Sequence, residues 1–152
     1  MRDRINRDIK YREEFRPFAP VVPAEHADLY FDLPPGGARL ARFMSGVFPV
    51  RPEWRSRLAA VTHVDGSARV QVLEQSMAPR LHALLRAYGR RTGIPVLLNT
   101  SLNVAGEPIV NTAIEGYATF RRCGIDVLVG GPAVVTNRAR RPQERPLKEA
   151  YV

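Results

Sequence analysis

The sequence predicts an α/β (α+β) fold, a twisted mixed sheet flanked by helices in a single domain. Two capped helical stretches each run at once into a short apolar segment, an alternation that lays helices on a sheet. Those segments, 94–98 and 125–129, are continuously apolar, as expected of strands buried on both faces. The 152 residues are 45% hydrophobic and 25% charged, an ordinary composition for one soluble core.

The elements follow in order. Residues 15–23 are expected to be extended, because Pro17, Pro20 and Pro23 exclude a helix. The run PPGG at 34–37 is a turn. Residues 61–63 and 69–73 read as two hairpin strands around Asp65-Gly66-Ser67. In the second strand Ala68, Val70 and Val72 would face the core and Ser67, Arg69 and Gln71 the other side.

Ser76 can cap a helix reaching about Arg91, with Pro79 in its first turn. Leu81, Leu84, Leu85 and Tyr88 form its expected buried stripe, and His82 would face solvent. Gly93 suits the left-handed residue after the helix, and Pro95 the start of the strand at 94–98. Thr112 and Glu115 make a capping box for a second helix. It would bury Ile114, Tyr117, Ala118 and Phe120, carry Cys123 in its last turn and end at Gly124. A buried strand at 125–129 and another at 133–136 complete a domain of residues 1–137. Residues 138–152, with Arg138, Arg140, Arg141, Arg145 and Lys148, form a basic, irregular tail.

Bulk properties remove several classes of function. No apolar run is long enough to span a bilayer, and the opening MRDRINRDIK lacks the apolar core of a signal peptide. The single cysteine cannot form an internal disulfide, so the expected location is cytoplasmic. His26, His63 and His82 are scattered, so no metal site is expected. Neither GxxxxGK[ST] nor GxGxxG occurs, so a nucleotide would need a different cradle. The net charge of +8 fits either solvated surface charge or attraction to phosphate; nucleic acid is a less favoured partner.

Three polar clusters carry the chemistry. In KYREEFRPFAP, Lys10 and Arg12 stand two apart and would share one face of an extended segment, with Arg16 nearby. In PVLLNTSLN, the polar run Asn99, Thr100, Ser101 and Asn103 follows a strand, where α/β sheets place ligands. The segment THVDGSARVQ offers His63, Asp65, Ser67 and Arg69, either as a ligand surface or as the polar face of a hairpin. Cations with a hydroxyl and an amide suit a phosphorylated, carbonyl-bearing ligand.

The runs KYREEFRPFAP, THVDGSARVQ and PVLLNTSLNVAGEPIV resemble the C-terminal, YrdC-like domain of O-carbamoyltransferases, enzymes that modify nodulation factors and antibiotics. The likeness extends from about Asn6 to about Thr136, with Leu102 and Ser67 where that family often has phenylalanine and threonine. It implies a YrdC-like fold that makes carbamoyl-adenylate from ATP and carbamoyl phosphate, with Mg2+ held through the ATP phosphates. It implies phosphate contacts for Lys10, Arg12 and Arg69, and orientation of carbamoyl or phosphate groups by Ser101 and Asn103. Arg16, His63, Asp65, Ser67, Asn99 and Thr100 would line the substrate or ATP site. Transfer to a hydroxyl would need a larger sugar-kinase-like domain or subunit, which in that family precedes this region. A second expectation is a non-catalytic module, derived from a carbamoyltransferase, that binds phosphate or RNA or docks on a partner.

Overall fold

Proline placement decides the first strand. Helix is closed to the stretch around Pro17, Pro20 and Pro23, and Ala19–Pro23 is a strand buried at all 5 positions. The computed structural model describes residues 1–137, so the expected basic tail lies outside the described residues. In chain order the elements are α1 (Arg2–Ile5), β1 (Ala19–Pro23), α2 (Ala27–Tyr30), α3 (Gly37–Ala41), β2 (Phe48–Pro49), β3 (Ser67–Ala68), β4 (Gln71–Leu73), α4 (Pro79–Thr92), β5 (Leu97–Asn99), α5 (Ala113–Arg122), β6 (Val127–Gly130) and β7 (Ala133–Thr136). Among the described residues, Met1, Asp3–Phe15 and 101–137 form one compact unit; Arg2 and Arg16–Thr100 form the other.

In the unit of Arg16–Thr100, β1 is the middle strand of a mixed sheet ordered β4-β1-β5. It runs parallel to β4 through Val21, Val22 and Pro23, and antiparallel to β5 through Ala19, Pro20 and Val21. Each proline therefore has a ladder partner on one side only, which lets a central strand contain them. Val21, Leu73 and Leu85 pack together, with Ala78, Leu81 and Leu97 against them. Two departures from the sequence reading occur along this sheet. β5 begins three residues later than expected, at Leu97, and is only half-buried because it is an outer strand. The expected hairpin does not form. Its turn is present, with Gly66 at φ 84°, but residues 61–63 form no strand: Val61 and Thr62 bond back to Leu58 in a helical turn. β3 pairs instead with β2, and β4 with β1. The alternation itself holds: Ala68, Val70 and Val72 are buried.

Helix α4 starts at Pro79 with Ala78, not Ser76, at its cap, and its buried face is rotated from the expected one. His82 and Leu85 are buried, while Leu84 and Tyr88 are 55% and 40% exposed. His82 faces inward because the Glu25 carboxylate meets its Nε2 at 3.0 and 3.2 Å. One turn beyond Leu85, Gly89 lies so close to Pro95 that an added Cβ would sit 2.7 Å from the proline Cβ. Gly89→Ala should therefore destabilise the protein by about 1–3 kcal/mol, although alanine is the better helix former by about 1 kcal/mol. Thermal unfolding measures this; a stabilised variant would contradict the contact. Gly93 ends the helix at φ 79°, as expected.

In the unit that contains Ser101 onward, both parts of the Thr112–Glu115 capping box are present on α5. Its buried residues are Gly116, Thr119 and Phe120, followed by Cys123 one turn on. Ile114 and Tyr117, expected inside, are 82% and 48% exposed, and Ala118 is also exposed. β6 and β7 form an antiparallel hairpin in which Val129 pairs with Val134. These strands, expected to be buried, are mostly exposed, because a two-stranded ribbon with one helix cannot cover both its faces. Helices and small mixed sheets make the class α+β, with three small sheets in place of one.

Candidate functional site

The first two clusters meet directly. Lys10 closes a π-helical turn, Asn6–Lys10, and Tyr11 then takes the left-handed conformation at φ 50°, so the segment is not the extended one expected. This reversal turns the Lys10 side chain inward, where the residue is 4% exposed. Its ammonium donates to the carbonyls of Asn103 (2.6 Å) and Ser101 (2.8 Å) and to Asn103 Oδ1 (2.8 Å), and lies 3.4 Å from Ser101 Oγ. These four acceptors are neutral oxygen atoms of the loop. Within the loop the Ser101 hydroxyl donates to Asn103 Oδ1 at 2.5 Å, and Asn103 Nδ2 donates to the Glu107 carbonyl at 2.8 Å. The Ala105 N–H donates to the Lys10 carbonyl and the Val110 N–H to the Leu102 carbonyl. Among the described residues, the backbone N–H groups of Ser101, Leu102 and Asn103 have no hydrogen-bond partner. Backbone N–H groups of this kind, in the loop that Lys10 contacts, can donate to an anion.

Arg12 donates from Nε to Asn6 Oδ1 at 2.7 Å. Asn6, fully buried, also donates to the Glu14 carbonyl, so it braces the chain reversal around Lys10. Nothing in the sequence marked Asn6 or the Glu107 carbonyl, because both act through contacts that a motif does not encode. Arg16 is exposed. Cys123 is buried and its thiol is pushed up by that burial, as is the Tyr11 phenol.

The third cluster and part of the second belong to the other unit. Arg69 is exposed, and Ser67 and Gln71 are half-buried, opposite the buried Ala68, Val70 and Val72. Asn99 Nδ2 donates to Gln71 Oε1 at 2.7 Å, which adds Asn99 to this polar surface. Thr100 is exposed and follows it. His63, Asp65 and Ser67 form a chain of contacts: Ser67 Oγ donates to Asp65 Oδ1 at 2.6 Å, and His63 Nδ1 lies 3.2 Å from Ser67 Oγ. The Ser67 hydroxyl, then its backbone N–H, hold the Asp65 carboxyl below the usual carboxylate range. Among the described residues, no group of three or more His, Cys, Asp or Glu residues is placed to hold a metal ion. Nor is any helix long and apolar enough to cross a membrane.

Residues 1–137 match the family described as Carbamoyltransferase C-terminus. The chain belongs to that family. Its relatives in the carbamoyltransferase family include nodulation protein NolNO of Sinorhizobium fredii, 41% identical over 143 residues, which are 94% of this chain and 21% of the relative. Nodulation protein NolO of Bradyrhizobium diazoefficiens is 42% identical over 137 residues, 90% of this chain and 25% of that protein. The 3'-hydroxymethylcephem-O-carbamoyltransferase of Amycolatopsis lactamdurans is 44% identical over 130 residues, 86% of this chain and 24% of that enzyme. This carbamoyltransferase C-terminal chain thus spans between 21% and 25% of the length of these relatives.

Proposed function

We propose that the chain binds ATP and carbamoyl phosphate and forms carbamoyl-adenylate for O-carbamoylation of a hydroxyl acceptor. The observation that carries this reading is the Lys10 ammonium clasped under the Ser101–Asn103 loop in a member of the Carbamoyltransferase C-terminus family. In the balanced reaction one water is consumed. The carbamoyl phosphate releases phosphate and leaves carbamate, whose oxygen bonds to the α-phosphorus of ATP and displaces pyrophosphate.

Each unit, taken by itself, carries candidate groups. Lys10 fixes the loop, while Arg12 adds a cation beside the chain reversal. The Ser101 hydroxyl, anchored by Asn103, accepts from the carbamoyl amino group, and the N–H groups of the loop meet phosphate oxygens. In the other unit Arg69 offers its guanidinium to phosphate, and Asn99, with Thr100, supplies neutral polar contacts. Arg16 adds a further exposed cation for ATP. Mg2+ arrives as part of the nucleotide, bound through its phosphate oxygens.

Transfer to the acceptor is assigned to a separate transferase domain or subunit. The relatives' greater length supports this, as do the uncovered apolar side chains of α5, β6 and β7. Ile114, Val129 and Val134 are 82%, 66% and 65% exposed, a surface of the kind that a further polypeptide covers. The test is carbamoyl-phosphate-dependent pyrophosphate release from ATP. It is run on the chain alone and on the chain co-purified with a polypeptide corresponding to the relatives' remaining sequence. Release in either sample is expected; no release in both, from folded protein, would overturn the reading.

A further inference from the structure

The contacts of Ser67 decide the state of a neighbouring ring. A serine hydroxyl has one proton, and an ionised carboxylate has none to give. The 2.6 Å contact with Asp65 Oδ1 therefore takes the Ser67 proton, and the Ser67 N–H reaches the same oxygen at 2.9 Å. Ser67 Oγ has only lone pairs left for His63, 3.2 Å away at Nδ1. Two lone pairs do not attract, so Nδ1 carries the proton and donates it to Ser67. The backbone holds this arrangement in place. The His63 N–H donates to the Ser67 carbonyl at 2.7 Å, and the Gly66 N–H to the His63 carbonyl at 3.0 Å. Gly66 has φ 84°, and a Cβ there would lie 2.6 Å from the Arg55 guanidinium carbon, which is itself tied to the Val50 carbonyl through Nε. The charged groups that border His63 in this loop are thus Asp65, through Ser67, and Arg55, across Gly66.

We infer that His63 keeps a proton on Nδ1, donated to Ser67, so that in the neutral form of the ring Nε2 is the hydrogen-bond acceptor for the planar amino group of a ligand. This rests on the function proposed above, which supplies two such groups: the carbamoyl NH2 and the exocyclic amine of adenine. An Nε2 lone pair accepts from either, and it rejects analogues that lack the amine by leaving itself unpaired. His63 thereby becomes a specificity-determining residue, and Ser67 and Asp65 position its proton.

The test has two independent readouts on the 152-residue chain. Nitrogen NMR of 15N-histidine-labelled protein at about pH 8, above the ordinary imidazole range, reads the tautomer. The native chain is expected to show His63 protonated on Nδ1. Ser67→Ala should switch it to Nε2, and Ser67→Thr, which keeps the hydroxyl, should not. A native ring protonated on Nε2, or on both nitrogens, would overturn the inference. The second readout is ligand preference. Carbamoyl phosphate is compared with acetyl phosphate, and ATP with purine riboside triphosphate, in the native chain and both variants. One of the two preferences should fall about tenfold in Ser67→Ala, the worth of one hydrogen bond, and recover in Ser67→Thr. The pair that responds identifies the amine; unchanged preferences in Ser67→Ala would overturn the ligand assignment. A chain that binds none of the four compounds contradicts the adenylation reading, while the nitrogen shifts still decide the state of His63.

Discussion

Lys10→Met should lower the unfolding free energy by about 2–3 kcal/mol, read as a fall in the urea midpoint. Methionine keeps most of the length of the stem and removes the ammonium. The carbonyls of Ser101 and Asn103, and Asn103 Oδ1, then each lose a charged donor within 2.8 Å. Water can replace part of this at Ser101, which is exposed, so the loss stays below the sum of the separate bonds. The surroundings make the loss large relative to what remains. In the unit that contains Lys10, the buried apolar side chains are Phe120 and Cys123 among the described residues, while Asn6, Lys10 and Thr119 are its buried polar ones. Lys10→Arg should fail as well, because a planar guanidinium does not match acceptors arranged around a single point. A variant with an unchanged midpoint would show that the buried ammonium does not hold the loop.

Asn103→Ala should reduce carbamoyl-phosphate-dependent pyrophosphate release by at least about 100-fold, the scale of losing a preorganised polar group. Asn103 is a positioning residue. Its Oδ1 accepts from Lys10 and from the Ser101 hydroxyl, and its Nδ2 holds the Glu107 carbonyl. Without it the Ser101 hydroxyl rotates freely, and the loop loses its tie to Glu107. The readout that separates positioning from folding is kcat measured on protein shown to be folded. It should collapse while the urea midpoint falls less than in Lys10→Met. Activity that declines only in proportion to the unfolded fraction would assign Asn103 a structural role alone.

Local chemistry was the legible part of the fold. The Thr112–Glu115 capping box, the helix stop at Gly93, the turn at Gly66 and the alternation of Ala68, Val70 and Val72 each depend on residues a few positions apart. Long-range choices were not legible. The buried side of α4 is set by Glu25, 57 residues from His82, and by the approach of Pro95 to Gly89. Ile114 and Tyr117 carry a stripe suited to burial, yet the described residues provide nothing to cover them. The candidate site divides in the same way. Lys10 with Arg12, and Ser101 with Asn103, were visible as polar pairs. That a left-handed Tyr11 turns Lys10 onto the loop 91 residues away emerges only from the folded backbone.

The most direct test of the proposed adenylation is phosphorus NMR of the folded chain with ATP, Mg2+ and carbamoyl phosphate, beside Asn103→Ala under the same conditions. The relatives' remaining sequence is supplied as a second polypeptide in both samples. The account predicts that the native sample converts ATP to pyrophosphate and a new adenylate resonance only when carbamoyl phosphate is present, and that the variant leaves ATP intact. Intact ATP in the native sample, or equal conversion in the variant, would contradict it.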